Sequence, residues 1–386
     1  MNDKIYFDNA ATTRVRPEVI ELMTKIMAED YGNPSSKHRF GMYAENYLRQ
    51  AAEDIAATLK CRPGEILFTS GGTEADNMAI AGVFRARARR GRHMITSCIE
   101  HPAVYKTLES LEKEGLEYTV LGVDSHGHVS LEELEKAVRP DTTLVSIMSI
   151  NNEMGAIEPV GEIGRLIKRV NPACYFHTDA IQAYCKMDLK PKRDGIDLMS
   201  VSSHKFHGPK GAGFLYIREG ISIQPIIYGG GQQRGLRSGT DNVPGVAGMG
   251  LAARLYCRDQ AAGIAHLAEI RDRLCERLKA MEGVQIYSDC GDLSAPQILS
   301  ASFEGVRAEV LLHALEEKGI YVSSGSACSS NHPGISGTMR AIGVAPGLLD
   351  SVIRFSFGLF NEVEEADRCA DALEELLPVL RRFRRY

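Results

Sequence analysis

Short apolar segments alternate with longer stretches of helical period along most of this chain as far as Ile217. Helical stretches are predicted at 73–90, 102–114, 131–138 and 160–170. This alternation predicts a mostly parallel sheet that is covered by helices on both faces and binds its ligands outside the carboxyl ends of its strands. The seven predicted strands are 65–69, 93–96, 118–121, 144–148, 175–178, 198–200 and 213–217.

The second part of the chain has a different pattern. A Gly-rich segment at 228–245 predicts a long ordered loop, and the helical run at 246–282 predicts a connector into another unit. From Gln297 onward, strand and helix patterns continue to a final helix at 363–382. We therefore expect an α/β protein with a large domain, residues 15–255, containing the seven-stranded sheet flanked by helices. Residues 1–14 and 256–386 are expected to form a smaller α+β domain.

Composition excludes several classes of protein. A chain of 386 residues is long enough for two domains, and its net charge of −5 disfavours a dedicated binder of nucleic acid or anionic membranes. No apolar window approaches 18 residues, and the N-terminus lacks a signal-peptide pattern, so neither export nor membrane insertion is expected. Nine scattered cysteines without a CxxC pair predict neither a disulfide framework nor a metal site, and they favour a reducing cytoplasm.

The segment TSGGTEADN, residues 69–77, follows the first strand of the predicted sheet. Its glycines allow close approach of the backbone to a ligand, and the helix that begins near Thr73 offers free N–H groups to a phosphate. A plain turn followed by a helix cap explains the same residues equally simply. Taken alone, the segment leaves both interpretations open.

Two further segments carry ionisable groups at predicted strand ends. Asp179, in FHTDAIQ, is suited to hold a protonated ring nitrogen, and a helix N-cap is the alternative. Lys205, in SVSSHKFHGPKG, is suited to form a Schiff base if local charge or desolvation lowers its pKa, although most lysines are simply solvated. A phosphate loop, a strand-end aspartate and a loop lysine together meet the requirements for binding pyridoxal phosphate.

At this point the chain resembles the cysteine desulfurases of the class V aminotransferase group, which have the fold type I architecture. The resemblance extends over nearly the whole length. The motifs that carry it are YFDNAATT, TSGGTEADN, EHPAV, NNEMGAIEP, HTDAIQ, SSHKFHGPKG, GGGQQRGLRSGT, SSGSACSS and IRFSFG.

The resemblance implies a role for each matching residue. Lys205 is implied as the lysine that binds pyridoxal 5'-phosphate covalently, Asp179 as the partner of its pyridine nitrogen, Gln182 as a donor to its ring hydroxyl, and His101 as a ring-stacking residue that also transfers protons. The phosphate would be bound by Gly72, Thr73, Ser202 and His204, with Thr240 reaching in from the neighbouring subunit of a homodimer. The substrate pocket would contain Asn152, which also contacts the cofactor, together with Arg354 and Asn33.

Cys328 distinguishes a desulfurase from a transaminase. It lies in VSSGSACSS, residues 322–330, where small and hydroxylic side chains predict an exposed loop and an accessible thiol. The family motif places the persulfide-forming cysteine here, in the small domain. The implied reaction converts L-cysteine to L-alanine and transfers sulfur to Cys328 and then to an acceptor protein, such as an iron–sulfur cluster scaffold. The segment that follows, 329–338, is rich in Gly and Pro and does not define the acceptor.

Other functions share some of these residues. A selenocysteine lyase or a class V aminotransferase would use the same cofactor residues, but a transaminase has no use for Cys328. A catalytically silent scaffold for an assembly partner is disfavoured, because Lys205, Asp179 and Cys328 are all present.

Overall fold

The computed structural model describes residues 4–288, 291, 293–324 and 336–383. Its strands are β1 (Ile5–Tyr6), β2 (Ile66–Thr69), β3 (His93–Ser97), β4 (Glu117–Leu121), β5 (Thr142–Ser146), β6 (Tyr175–Asp179), β7 (Leu198–Ser202), β8 (Gly213–Ile217), β9 (Val284–Ile286), β10 (Ile298–Phe303), β11 (Ile320–Tyr321), β12 (Ser323–Ser324) and β13 (Val352–Ser356). Its α-helices are α1 (Pro17–Ala28), α2 (Arg39–Leu59), α3 (Gly72–Ala86), α4 (Pro102–Glu112), α5 (Leu131–Ala137), α6 (Val160–Val170), α7 (Pro191–Asp194), α8 (Val243–Arg258), α9 (Gln260–Lys279), α10 (Ala308–Glu317), α11 (Gly337–Ala341) and α12 (Val363–Leu380).

The main sheet has seven strands in the order β2-β8-β7-β6-β5-β3-β4. Strand β8 is antiparallel to both neighbours, whereas the pairs from β7 to β4 are parallel. Successive residues point to opposite faces, so Leu144 joins the core cluster formed with α3 and α4, and Val145 joins the cluster formed with α2, α6 and α8. Both faces are therefore buried, which explains the uninterrupted apolar strands of the sequence. The predicted α/β architecture with a seven-stranded sheet is confirmed.

A second, four-stranded antiparallel sheet has the order β12-β13-β10-β9, and β1 pairs with β11 in parallel. Apolar residues of these strands pack with α9, α10 and α12 in a separate core cluster. Residues Ile5 and Phe7 belong to this cluster, whereas Ala10 belongs to the cluster of the main sheet. The chain thus passes from one core to the other close to its start. The division at residues 14 and 255 stays a prediction.

The helical run predicted at 246–282 forms two helices rather than one. Asp259, with φ −113° and ψ 24°, leaves the helical region between α8 and α9. This break lets α8 pack on α2 while α9 packs on α12 in the second core. Within the residues that the structure describes, no helix is long and apolar enough to cross a bilayer.

Candidate active site

A cavity of about 260 Å³ lies at the carboxyl ends of the main-sheet strands. The loops that follow β2, β3, β5, β6 and β7 all contribute to it, as expected for a parallel sheet. Its lining residues are Ala10, Ala11, Gly72, Thr73, His101, Met148, Ile150, Asn152, Asp179, Ile181, Gln182, Ser202, His204, Lys205 and Arg354. Residues predicted from distant parts of the sequence therefore share one cavity.

One end of the cavity is formed by the start of α3. Gly71 has a φ of 157°, in a region that favours glycine, and any Cβ at Gly72 would collide with the side chain of Ile181. Thr73 follows in the first turn of this 15-residue helix and also lines the cavity. Free N–H groups at this helix start, with Ser202 and His204 beside them, form a donor set that suits a phosphate.

Asp179 and Gln182 lie beside this end, at the end of β6 and just after it. The Ile181 N–H donates to Oδ1 of Asp179 at 2.8 Å, and burial raises the pKa of Asp179 to about 6 even though this hydrogen bond and the charge of Lys205 lower it. Gln182 donates through Nε2 to the Ala10 carbonyl at 2.9 Å, while its buried Oε1 has no hydrogen-bond partner among the residues that the structure describes. A buried carboxylate and an unsatisfied amide oxygen both favour a polar ligand here.

Lys205 lies on a short 3-10 turn, Ser203–Lys205, that directly follows β7. Its Nζ donates to the carbonyls of Ala10 and Ala11, at 2.6 and 2.8 Å. The N-terminal segment therefore orients the lysine amine, a role that was not predicted from the sequence. The sequence signal for this contact is the DNAATT motif, which contains Ala10 and Ala11, but the motif alone does not indicate that its carbonyls bind a lysine.

His101 is the N-cap residue of α4. The Ala103 N–H donates to its Nδ1 at 3.1 Å, which leaves the proton of the neutral ring on Nε2. Burial, followed by the charge of Lys205, lowers the pKa of His101 to about 4. The ring is therefore neutral at pH 7, and it lines the cavity.

Arg354 lies in the middle of β13 and is 3% exposed. Its Nη1 donates to the main-chain oxygen of Asn152 at 2.8 Å, and its Nη2 donates to Oδ1 of Asp8 at 3.0 Å. Within the described part of the chain, its buried Nε has no hydrogen-bond partner. Because the guanidinium is held in place on two sides, it is well placed to bind a carboxylate. The partnership with Asp8 was not predicted from the sequence.

Behind Asp179, two more carboxyl groups are buried. Glu100 accepts hydrogen bonds through Oε1 from the Ser97 hydroxyl at 2.6 Å and the Met148 N–H at 2.9 Å, and burial raises its pKa to about 8. For Asp76, burial and then the charge of Asp179 raise the pKa well above its ordinary value. Glu100 lies in the EHPAV motif and Asp76 in TSGGTEADN, but the motifs alone do not predict that these two carboxyl groups lie near Asp179. With a pKa of about 6, Asp179 is mostly ionised at pH 7, whereas Glu100, with a pKa of about 8, is mostly protonated.

Three predicted residues are not among those that line the cavity. Asn33 is exposed, and its Oδ1 accepts a hydrogen bond from the Ser35 N–H at 2.9 Å. Thr240 is also exposed, on the Gly-rich loop. Cys328 lies outside the described residues. The roles assigned to these three residues stay predictions.

The residues of the cavity fit pyridoxal phosphate. The group needs donors for a phosphate, an acid beside a ring nitrogen, an amine and a surface for the ring. The start of α3, Asp179, Lys205 and His101 supply one of these each, and the glycine at position 72 keeps the phosphate end open.

Comparisons with known proteins agree with this geometry. The model of the family described as "Aminotransferase class-V" matches residues 5–369. The chain belongs to this family. A protein named "Cysteine desulfurase IscS" from Methanosarcina thermophila is 43% identical over 98% of this chain and 93% of its own length. A protein named "Cysteine desulfurase, mitochondrial" from Eremothecium gossypii is 42% identical over 98% of this chain and 76% of its own length.

Similar solved structures give the same result. A structure described as "NIFS-LIKE PROTEIN" has a TM-score of 0.92 and 40% identity, and the match covers 97% of this chain and all of that one. A structure described as "SspA in complex with cysteine" has a TM-score of 0.80 and 34% identity, and the match covers 92% and 98% of the two chains. The resemblance deduced from the motifs is confirmed. The chain is an enzyme of the cysteine desulfurase type, in a family that depends on pyridoxal phosphate.

Proposed function

We propose that this enzyme removes sulfur from L-cysteine, releases L-alanine and holds the sulfur as a persulfide on Cys328. The observation that carries the proposal is the single cavity shared by Lys205, Asp179 and Arg354, which suits an amino-acid substrate bound next to pyridoxal phosphate. The names of the relatives, and the cysteine in complex with the related protein SspA, support L-cysteine as the substrate.

Four elements would hold the cofactor. Its phosphate would bind at Gly72 and Thr73, with Ser202 and His204 beside it; its ring nitrogen would face Asp179; its ring hydroxyl would face Gln182. When bound, pyridoxal phosphate supplies a carbonyl for the substrate amine and an electron sink for charge on the substrate α carbon. Asp179 would stay ionised opposite a protonated ring nitrogen, because a cation offsets the effect of burial on its pKa.

Lys205 and His101 are the proposed proton carriers. Lys205 Nζ, released from its covalent role, would accept the α proton, and the carbonyls of Ala10 and Ala11 limit where this amine moves. His101 is neutral and carries its proton on Nε2, so it would donate a hydrogen bond through this N–H. It would pass on a proton only while it takes up another, because loss of its single ring proton leaves an imidazolate. Both groups belong to rigid surroundings, since His101 caps a helix and Lys205 follows a central strand.

Arg354 and Asn152 would bind the substrate carboxylate. The guanidinium presents a planar pair of donors to a carboxylate, and its existing bonds to Asp8 and the Asn152 main chain fix its plane.

Cys328 would complete the reaction. Its thiolate would attack the substrate sulfur, so that a sulfur–sulfur bond forms as the carbon–sulfur bond breaks, and protons taken up by the remaining carbon skeleton give L-alanine. A thiolate of an acceptor protein would then take the terminal sulfur by exchange. We further propose a homodimer in which Thr240 reaches the partner's phosphate site, a cytoplasmic location, and an iron–sulfur cluster scaffold as the acceptor.

The deciding experiment measures the visible spectrum of the purified protein and quantifies alanine and sulfide after addition of L-cysteine and a thiol reductant. Wild-type protein should be yellow and should form alanine and sulfide in equal amounts. Cys328→Ala should keep the cofactor absorbance and lose turnover, whereas Cys98→Ala, which removes a half-buried thiol outside the cavity, should keep both.

Two outcomes would contradict the proposal. Full turnover by Cys328→Ala would point to a transaminase or β-lyase instead. A protein that stays colourless after incubation with pyridoxal phosphate would remove the cofactor assignment. Parallel assays with L-selenocysteine measure the preference between sulfur and selenium.

A further inference from the structure

Two cysteines that the proposed reaction does not use lie next to each other outside the cavity. The Sγ atoms of Cys185 and Cys257 are 3.4 Å apart. Cys185 is buried in the segment that follows β6, and Cys257 is half-buried in the last turn of α8. Their positions, 72 residues apart in sequence, gave no sign of this pairing.

The surrounding structure holds the two residues in these positions. Cys185 has a φ of 66°, in the left-handed region that a residue with a side chain adopts only when its neighbours enforce it. Gln260, the first residue of α9, donates through Nε2 to the carbonyls of Cys185 and Met187 at 3.0 and 3.1 Å. The end of α8 and the start of α9 are thereby fastened to the segment that carries Cys185.

Both thiols line an open pocket of about 450 Å³. The basic residues Lys60, Lys190, Arg254 and Arg258 line the same pocket, and they give it a positive character despite Asp54. A small oxidant therefore reaches the pair from solvent. The hydrogen bond with Cys185, and to a smaller extent the charge of Lys190, lowers the pKa of Cys257 in spite of its burial, so Cys257 is the more reactive of the two thiols.

We propose that Cys185 and Cys257 form a reversible disulfide, a modification site that is oxidised by peroxides. A disulfide bond has an S–S length of about 2.05 Å, so closure requires the two sulfurs to approach by only about 1.3 Å. Cys257 is half-buried and lines the open pocket, so its side chain has room for this small movement.

The chemistry consumes one peroxide. The Cys257 thiolate attacks one oxygen of hydrogen peroxide, the O–O bond breaks, and Cys257 sulfenic acid and hydroxide form. The Cys185 sulfur then attacks the sulfenic sulfur, its proton and the sulfenic hydroxyl leave as water, and the hydroxide takes up the proton that Cys257 lost earlier. Two thiols are oxidised and one peroxide is reduced to two waters.

The disulfide would link two parts of the molecule that serve the site indirectly. Cys185 comes three residues after Gln182 and six after Asp179, and Cys257 comes two residues before the break at Asp259. Oxidation would therefore tie the cofactor-facing segment to the junction between the two hydrophobic cores. This inference does not rest on the proposed reaction.

The test uses the full-length holoenzyme. Wild-type protein is treated with hydrogen peroxide, free thiols are blocked with N-ethylmaleimide, and the protein is digested without reduction and examined by mass spectrometry. The expected product is a peptide pair joined through Cys185 and Cys257 that separates on addition of dithiothreitol. Cys257→Ser and Cys185→Ser should each abolish the pair, and Cys61→Ser, which removes another half-buried thiol, should retain it.

Unreduced wild-type protein supplies a second readout that needs no variant at Cys185, in case that substitution prevents folding. Free thiols are counted with a thiol reagent before and after oxidation. The wild type should lose two more thiols than Cys257→Ser loses. The proposal is overturned if Cys257 is recovered only as an overoxidised or separately blocked residue. A pair between Cys257 and any other cysteine would overturn it equally.

Discussion

The cavity contains ionisable side chains whose charge is set by what surrounds them. His101 is neutral because burial and the Lys205 charge lower its pKa to about 4. Burial raises the pKa of Asp179 to about 6, and burial together with the charge of Asp179 raises the pKa of Asp76. Main-chain groups supply most of the orientation: the Ala103 amide fixes the tautomer of His101, and two N-terminal carbonyls hold Lys205. These charges and contacts predict how conservative substitutions change substrate binding and stability.

Arg354→Lys tests the proposed carboxylate contact. A lysine keeps the charge but loses the planar pair of donors, so we expect KM for L-cysteine to rise about 10- to 100-fold while kcat changes much less. Steady-state alanine formation measures both constants, and circular dichroism checks that the variant is folded. Arg307→Lys, at an exposed arginine, is the control. An unchanged KM would remove Arg354 from the substrate site.

Asp76→Asn tests whether Asp76 is neutral. Because asparagine has nearly the shape of a protonated aspartic acid, we expect the free energy of unfolding at pH 7 to change by less than about 1 kcal/mol and the cofactor absorbance to persist. Asp179→Asn, which removes the carboxylate proposed to face the ring nitrogen, should weaken cofactor binding and lower the cofactor absorbance. A loss larger than about 2 kcal/mol in Asp76→Asn would indicate that Asp76 is charged in the folded protein.

Helix α8 shows how one element determines the arrangement of others. It packs on α1 and α2, and it does so closely because glycines face its neighbours: a Cβ added at Gly250 would meet Cα and Cβ of Ala51 at 2.6 and 2.8 Å. The last turn of α8 carries Cys257, and the helix ends at Arg258, directly before Asp259. The middle of α8 is therefore held by close packing on α2, and its C-terminal end leads directly into α9.

Gly250→Ala tests this close approach. The added methyl meets backbone, which cannot move aside easily, so we expect a loss of about 1–3 kcal/mol in the free energy of unfolding. Urea unfolding followed by circular dichroism measures it. Gly122→Ala is the matched control, since a Cβ there meets nothing within 4 Å and should change stability by about 0.5 kcal/mol or less. Equal effects of the two substitutions would contradict the packing argument.

Across the whole molecule, burial makes stability depend on pH in two opposing ways. The half-buried His101 and the buried His207 each have a pKa of about 4, so they bind fewer protons in the folded than in the unfolded chain. Their contribution to stability therefore falls as pH drops below about 6.5. Glu100 and Glu158 have a pKa of about 8, so they bind more protons in the folded chain, and stability falls as pH rises from about 4.5 to 8. A single substitution separates the two effects.

Glu158→Gln removes one of the carboxyl groups. Both oxygens of Glu158 accept from the Val129 N–H, at 3.2 and 3.3 Å, and glutamine keeps an acceptor there. We expect the free energy of unfolding of the variant, relative to wild type, to increase by about 1.4 kcal/mol per pH unit between about pH 5 and 8 and to level off above it. Urea unfolding across this range, with exposed Glu132→Gln as the control, measures the difference. A difference that is constant with pH would contradict the raised pKa.

Strands and most helices followed from local pattern. The predicted segment at 175–178 corresponds to β6 and the stretch at 160–170 coincides with α6, because buried strands and amphipathic helices each repeat apolar residues with a period of their own. The prediction of one long helix was wrong at Asp259. The residues around this position favour a helix, but the chain must change direction there to enter the second core. A break imposed by packing leaves no clear local signal.

The sequence by itself determined the fold class and the family. It also predicted roles for Lys205, Asp179, His101 and Arg354, because each lies in a motif of the resemblance, and all four line the cavity at the carboxyl ends of the strands. Tertiary structure alone decided that Asp8 pairs with Arg354, that Ala10 and Ala11 hold Lys205, and that Cys185 meets Cys257. These contacts join residues far apart along the chain. Their formation depends on how the two cores pack together, which no local periodicity encodes.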